Sequence, residues 1–239
     1  MKMLLLISLL CYSIISIADK VAVPQKEKPE IKTIGQVIWT KGKVDAFLPE
    51  KDRRKLSRRG SIYEKDTIES NKNSKAQINF TDGTLLLVSE NTKIEIEKYN
   101  YNKKDSKQDS YIMSLAKGGL RTVTGEIAKK NPDGYKAKTP IATLSQIGTD
   151  YSIINKNNKK MLFAVKKGKI LVTNKDGQTF KLGEGFDNKY ATVDFATSKI
   201  ELLNKIPPEL KTLESLKFKK INVNKSGVKG RSGGGFCVY

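Results

Sequence analysis

The chain has 239 residues, and 45 Lys plus Arg against 25 Asp plus Glu leave a formal charge of +20. Without histidine and with only two cysteines, it cannot build a Ser-His-Asp or Cys-His catalytic pair or the usual zinc ligand sets. The positive charge permits an acidic partner, while the lack of a recognition motif and the export signal described next argue against nucleic acid.

The N-terminus reads as a secretory signal. Lys2 supplies the positive start, residues 3–17 are mostly apolar, and Ser16-Ile17-Ala18 places small residues at −3 and −1, so residues 1–18 are expected to be removed before Asp19. The apolar core is shorter than the roughly 20 residues a spanning helix needs, which disfavours a retained anchor. Lipidation at Cys11 requires a small residue before it, and Leu10 stands there. The protein is therefore expected to be periplasmic or secreted, with no integral membrane span in the mature chain. Cys237 is then the remaining cysteine. It either pairs between chains or sits in a flexible tail, and Ser232-Gly233-Gly234-Gly235 before it has linker composition.

Residues 19–34 are polar, contain Pro24 and Pro29, and read as an extended leader. From Gly35 the pattern changes to short β-rich runs between turn residues. Val37-Ile38-Trp39 and Val44-Asp45-Ala46-Phe47 flank Lys41-Gly42-Lys43, which reads as a tight hairpin. Next comes the densest basic cluster, Lys51, Arg53, Arg54, Lys55, Arg58 and Arg59, opposed locally by Asp52. It is either a solvated loop or a patch that contacts a polyanion. Ala76-Gln77-Ile78-Asn79-Phe80 alternates apolar with polar, Thr81-Asp82-Gly83-Thr84 turns, and Leu85-Leu86-Leu87-Val88 follows as a more fully buried strand. Lys93-Ile94-Glu95-Ile96-Glu97 alternates again, and residues 99–110 read as an exposed loop.

Strand candidates continue at 111–115, 141–144, 151–154, 161–165 and 170–173, with Asp176-Gly177 as a hairpin signal. Turns of similar composition occur at Lys41-Gly42-Lys43-Val44, Lys117-Gly118-Gly119-Leu120 and Lys167-Gly168-Lys169-Ile170. Many short strands with recurring glycine turns predict an all-β fold, either a short β-solenoid or a sandwich-like stack. Residues 208–216 alone read as helix, with Pro208 at the start and Leu210, Leu213 and Leu216 on one side. The expected division is a signal peptide at 1–18, a leader at 19–34, a β domain at 35–200, and a short helix with a basic, glycine-rich tail at 201–239.

Ile78-Asn79-Phe80-Thr81-Asp82-Gly83-Thr84-Leu85, then Leu87 and Thr92-Lys93-Ile94, forms an alternating strand, an Asp-Gly-Thr turn and a second strand, and in this it resembles the FecR periplasmic domain. Lys117-Gly118-Gly119-Leu120-Arg121, Lys138-Thr139-Pro140-Ile141-Ala142, Ile147-Gly148-Thr149-Asp150-Tyr151 and Val165-Lys166-Lys167-Gly168-Lys169-Ile170 follow in the family's order, over residues 35–193. The motif residues Asp82, Gly83, Thr84, Gly118, Gly119, Thr139, Pro140, Gly148, Thr149 and Gly168 are read as structural, because turn glycines mostly serve the backbone. Asp82 is expected to cap its own turn, and Asp150 to do the same beside Thr149.

FecR regulators combine a cytoplasmic anti-sigma segment, a membrane helix and a periplasmic sensing domain. Only the last has a counterpart in this sequence. The resemblance therefore implies an exported, non-catalytic binding or sensing module without a cofactor, whose partner is an envelope protein or an anionic envelope polymer. A structural envelope protein is the alternative. A histidine-free hydrolase using Glu126, Asp133 or Asp150 has no recognised spacing behind it.

Overall fold

The computed structural model describes residues 31–219. The expected signal sequence, most of the expected leader, Cys11, Cys237 and most of the tail lie outside the described residues. Fifteen strands follow one another: β1 Thr33–Lys41, β2 Val44–Phe47, β3 Arg54–Lys55, β4 Ser61–Tyr63, β5 Thr67–Ser70, β6 Lys75–Phe80, β7 Leu85–Val88, β8 Lys93–Asn100, β9 Ser110–Val123, β10 Tyr135–Lys138, β11 Ala142–Lys156, β12 Lys160–Asn174, β13 Thr179–Gly183, β14 Tyr190–Asp194 and β15 Ile200–Leu203. Helix α1, Glu126–Lys130, and a 3-10 turn, Pro132–Gly134, lie between β9 and β10, and α2, Pro208–Glu214, follows β15. The chain is thus mostly β with few helices.

Three of these strands are long, and they organise the rest. The first half of β9 pairs with β8 and β10, and its second half pairs with β7 and β11. Strand β12 divides likewise, its N-terminal half against β14 and its C-terminal half against β13. Two layers result. One runs β3-β2-β5-β8-β9-β10-β11-β12-β13, the other β4-β1-β6-β7-β9-β11-β12-β14-β15, and β9, β11 and β12 pass through both. All pairings are antiparallel except β9 with β10. A solenoid needs stacked parallel strands, so that alternative is corrected. The N-terminal strands instead close on themselves as a barrel: the segment from Arg54 to Tyr63 pairs with β2 at one end and β1 at the other, through Leu56 N–H to Val44 O (2.8 Å) and Arg59 N–H to Val37 O (2.8 Å).

Gly118 and Gly168 are not hairpin turns. They lie inside β9 and β12, at the points where those strands bend from one layer into the other. Both have positive φ, 80° and 75°. A Cβ at 118 would stand 2.5 Å from Thr92 Cα, and one at 168 would stand 2.5 Å from Gly148 O, so a side chain is excluded by conformation and by space. Two runs read as separate strands, 141–144 and 151–154, are for the same reason one bent strand, β11. Nor is Lys41-Gly42-Lys43 a hairpin: β1 pairs with β4 and β6, while β2 pairs with β3 and β5, so the segment is a corner between layers.

The core lies between the layers. Phe80 of β6 meets Tyr111 of β9 at 4.8 Å, Tyr111 meets Tyr135 of β10 at 5.2 Å, and Phe163 of β12 meets Phe180 of β13 at 6.2 Å. Tyr99, expected in an exposed loop, is buried against Phe80 and Tyr111 because β8 continues through Asn100. Each such ring contributes about 1.5–3 kcal/mol through removal of apolar surface from water. On the outer face of the second layer, Leu210 and Leu213 of α2 are buried, Leu210 against Leu162 and Ala164. No helix among the described residues is long and apolar enough to cross a membrane.

Candidate functional site

Asp82 is the most connected motif residue. It sits in the β6–β7 turn, where its carboxylate accepts Thr84 N–H (3.0 Å), Thr84 Oγ1–H (2.8 Å) and Tyr99 O–H (3.1 Å). Burial pushes its carboxyl above the ordinary aspartate range, and these hydrogen bonds, with one from the Ile127 backbone, oppose that rise. The cluster also fastens α1: Gly125 N–H donates to Thr84 Oγ1 (2.9 Å) and Glu126 N–H to Asp82 O (2.8 Å). A Cβ at Gly125 would lie 2.5 Å from Thr84 N. Gly125 is therefore as necessary here as the motif residues, although nothing in its sequence neighbourhood marks it.

The other motif residues also turn inward. Thr92 Oγ1 accepts Gly119 N–H (3.0 Å) beside the bend of β9. Thr139 closes the β10–β11 turn over Pro140, its Oγ1 donating to Ala142 O (2.8 Å) and accepting Ala142 N–H (2.9 Å). Thr149 N–H donates to Thr124 Oγ1 (2.8 Å), and Thr149 Oγ1 donates to Lys169 O (2.9 Å). Asp150, expected to cap its own turn, instead accepts a two-pronged bond from Arg121, Nε to Oδ1 at 2.8 Å and Nη2 to Oδ2 at 2.7 Å. Arg121 Nη1 donates in addition to Glu214 O (2.9 Å) and Leu216 O (2.5 Å), tying the end of α2 to β9. The next residues run on across the sheet: Lys219 N–H donates to Gln77 Oε1 (2.7 Å), and Lys219 Nζ stands 5.3 Å from the Trp39 ring.

The basic cluster is divided by the fold. Arg54 grips the buried Asp66 with two nitrogens and lies over the Tyr63 ring. Arg53 pairs with Glu69 (2.5 Å) and stacks on Phe47. Lys51, Lys55, Arg58 and Arg59 are exposed and form no ion pair among the described residues. Of the carboxylates considered for catalysis, Glu126 is bound by Tyr101 O–H (2.6 Å) and Lys130 (2.8 Å), and Asp150 by Arg121.

A groove takes in Asp133, the third carboxylate considered for catalysis, and Lys169 and Ile170 of the glycine-turn motif, beside residues that the sequence leaves unassigned. It lies over β11, β12 and β13, encloses about 310 Å³, and is lined by Pro132, Asp133, Ser145, Lys169, Leu171, Lys181 and Phe186 together with Ile170. Alternation within β12 places Lys169 and Leu171 on one face, a signal present in the sequence. Their neighbours Ser145 and Lys181 become apparent only from the strand pairing.

Bent strands shared by two layers, with the motif's polar groups spent on holding the bends and turns, define a non-solenoid β domain. A family model described as FecR protein matches residues 66–171, and this stretch is a FecR domain. The match is narrower than the span of the motif order, running from just before β5 into the second half of β12. No curated protein matches the chain. Two crystal structures of a "putative anti-sigma factor" from Parabacteroides distasonis, at 2.50 and 1.65 Å resolution, are similar: each is 16% identical with a TM-score of 0.46, over 58% of this chain and 59% of that one. The chain thus spans about three fifths of that protein's length.

Proposed function

We propose that this chain is an exported, non-catalytic binding or sensing module of the bacterial cell envelope, periplasmic or secreted after cleavage before Asp19. The observation that carries this reading is the FecR domain at 66–171 whose motif side chains are consumed in internal bonds. Chemistry at the motif itself would require a reactive group open to substrate, and Asp82, Thr149 and Asp150 are all engaged by their neighbours. Recognition then falls to the surface, and the charge of +20 favours an acidic counterpart, either an envelope protein or an anionic envelope polymer. Pull-down with the tagged protein from envelope extract tests the reading, with capture of a discrete protein or a soluble acidic polymer expected. Bulk retention in the insoluble wall fraction would replace it with a structural role. Intact-mass measurement in the native host is expected to give an N-terminus at Asp19, and a retained 1–18 segment or a lipid on Cys11 would refute soluble export.

A further inference from the structure

We propose that the groove over β11, β12 and β13 binds one acidic sugar unit, a hydroxylated ring carrying a carboxylate or a phosphate. This rests on the envelope-binding reading and names a ligand class for it. Ser145, Leu171 and Lys181 form a cross-strand row on neighbouring strands, so their side chains share one face of the sheet. Lys169 precedes Leu171 by two positions and shares that face. Leu171 is half-buried at its centre, Pro132 and Asp133 line it from the 3-10 turn, and Phe186 lines it from the loop after β13. A volume of about 310 Å³ is at the small end for ligand pockets and suits one ring.

The polar groups match that ligand. Lys169 and Lys181 form no ion pair among the described residues, whereas Lys130, Lys138 and Lys156 each hold a carboxylate. These two ammonium groups, unpaired with any carboxylate among the described residues although Lys181 lies over the Phe186 ring, stand beside an apolar floor and offer charge-assisted hydrogen bonds to an anion. Ser145 and Asp133 can exchange hydrogen bonds with ring hydroxyls. Phe186, 38% exposed with Lys181 Nζ 5.7 Å from its ring, presents an apolar face to sugar C–H groups. The loop that carries it is fastened at several points: Glu184 N–H to Gly168 O (2.8 Å), Gly168 N–H to Glu184 Oε1 (2.9 Å) and Gly183 N–H to Asn188 O (3.0 Å). Little ordering entropy remains to be lost on binding.

Titration of the purified, isotope-labelled protein with glucuronate, glucose 6-phosphate, glucose and inorganic phosphate, followed by amide resonances, tests this. Saturable shifts at Lys169, Leu171, Lys181 and Phe186 are expected with one or both acidic sugars, and the arm that binds more tightly identifies the acid. Glucose and inorganic phosphate should bind at least about tenfold more weakly, since each lacks one half of the recognition. The double variant Lys169→Gln with Lys181→Gln, which keeps the side-chain length, should lose about tenfold or more in affinity with unchanged melting, by the loss of charge-assisted bonds. Phe186→Ala should weaken the sugar acids and leave inorganic phosphate unaffected. Equal affinity for glucose and glucuronate, or parent-like binding by the double variant, would overturn the site. If the double variant still captures the same partner from envelope extract, the groove assignment fails while the binding function stands.

Discussion

At the N-terminal end, the segment from Arg54 to Tyr63 bridges β2 and β1 and closes the barrel, whereas at the other end β13 and β15 each pair on one side only. The difference decides what each region's positive charge can do. Closure at the first end draws Arg54 into a grip on Asp66, leaves Arg53 on Glu69, and sends Lys51, Lys55, Arg58 and Arg59 to solvent without ion pairs among the described residues. At the open end, Lys169 and Lys181 from different strands line one groove with Asp133 and form no ion pair among the described residues. Density of charge along a chain is therefore a poor guide to a binding site, because strand pairing decides which cations are spent and which are brought together.

Breaking the ties of the open end should give the largest effect. Arg121→Ala leaves Asp150 without its partner and frees the carbonyls at the end of α2, so a loss of about 3–5 kcal/mol is expected for a buried pair broken from one side. Denaturant unfolding checks it, and a loss below about 1 kcal/mol would mean that packing of Leu210 and Leu213 alone seats the helix. Gly168→Val should cost about 1–3 kcal/mol through strain and overlap with Gly148 O. Gly83→Val is the contrast, because nothing lies within 4 Å of a Cβ there and only the backbone conformation is strained. Equal melting temperatures for the two variants would contradict the placement of Gly168 at a bend.

The closed end should respond less. Replacing Lys51, Lys55, Arg58 and Arg59 together by Ser is expected to change stability by only about 0.5 kcal/mol. If these side chains contact a polyanion, the salt dependence of binding should become shallower, since fewer counterions are released. Identical affinity and salt slope across a salt series would dismiss the patch. Arg54 is excluded from that set because its loss would strand the buried Asp66. The smallest effect concerns Glu69, whose carboxyl is held below the ordinary glutamate range by its hydrogen bond from Arg53, against some burial, with Lys93 adding to the same direction. A lowered folded-state value means that its stabilisation is present above the unfolded value and disappears as pH falls through the folded one. Arg53→Ala should therefore lower stability slightly at neutral pH, leave the low-pH limit unaltered and so flatten the acid limb of a stability-against-pH curve.

Much of this molecule could be read locally. The alternation in Ala76-Gln77-Ile78-Asn79-Phe80 and the Asp82-Gly83 turn produce the β6–β7 hairpin, Asp176-Gly177 produces the β12–β13 hairpin, and the leucine spacing after Pro208 produces α2. These features are legible because hydrogen bonding and burial there depend on residues only a few positions apart. The bends at Gly118 and Gly168 were misread because a glycine with positive φ has the same local signature in a turn and within a long strand. Which reading applies depends on what lies opposite, here Thr92 and Gly148. The pairing of Arg121 with Asp150 and the burial of Tyr99 likewise depend on register across strands distant in the chain, and the placing of Lys169 and Lys181 in one groove depends on the pairing of β12 with β13. Local pattern thus determined that this is an exported β protein in expectation and a FecR-type domain in motif. Only the passage of three strands through two layers decided which charges are buried, which are spent and which are left to bind, because partnership between side chains is set by distance in space.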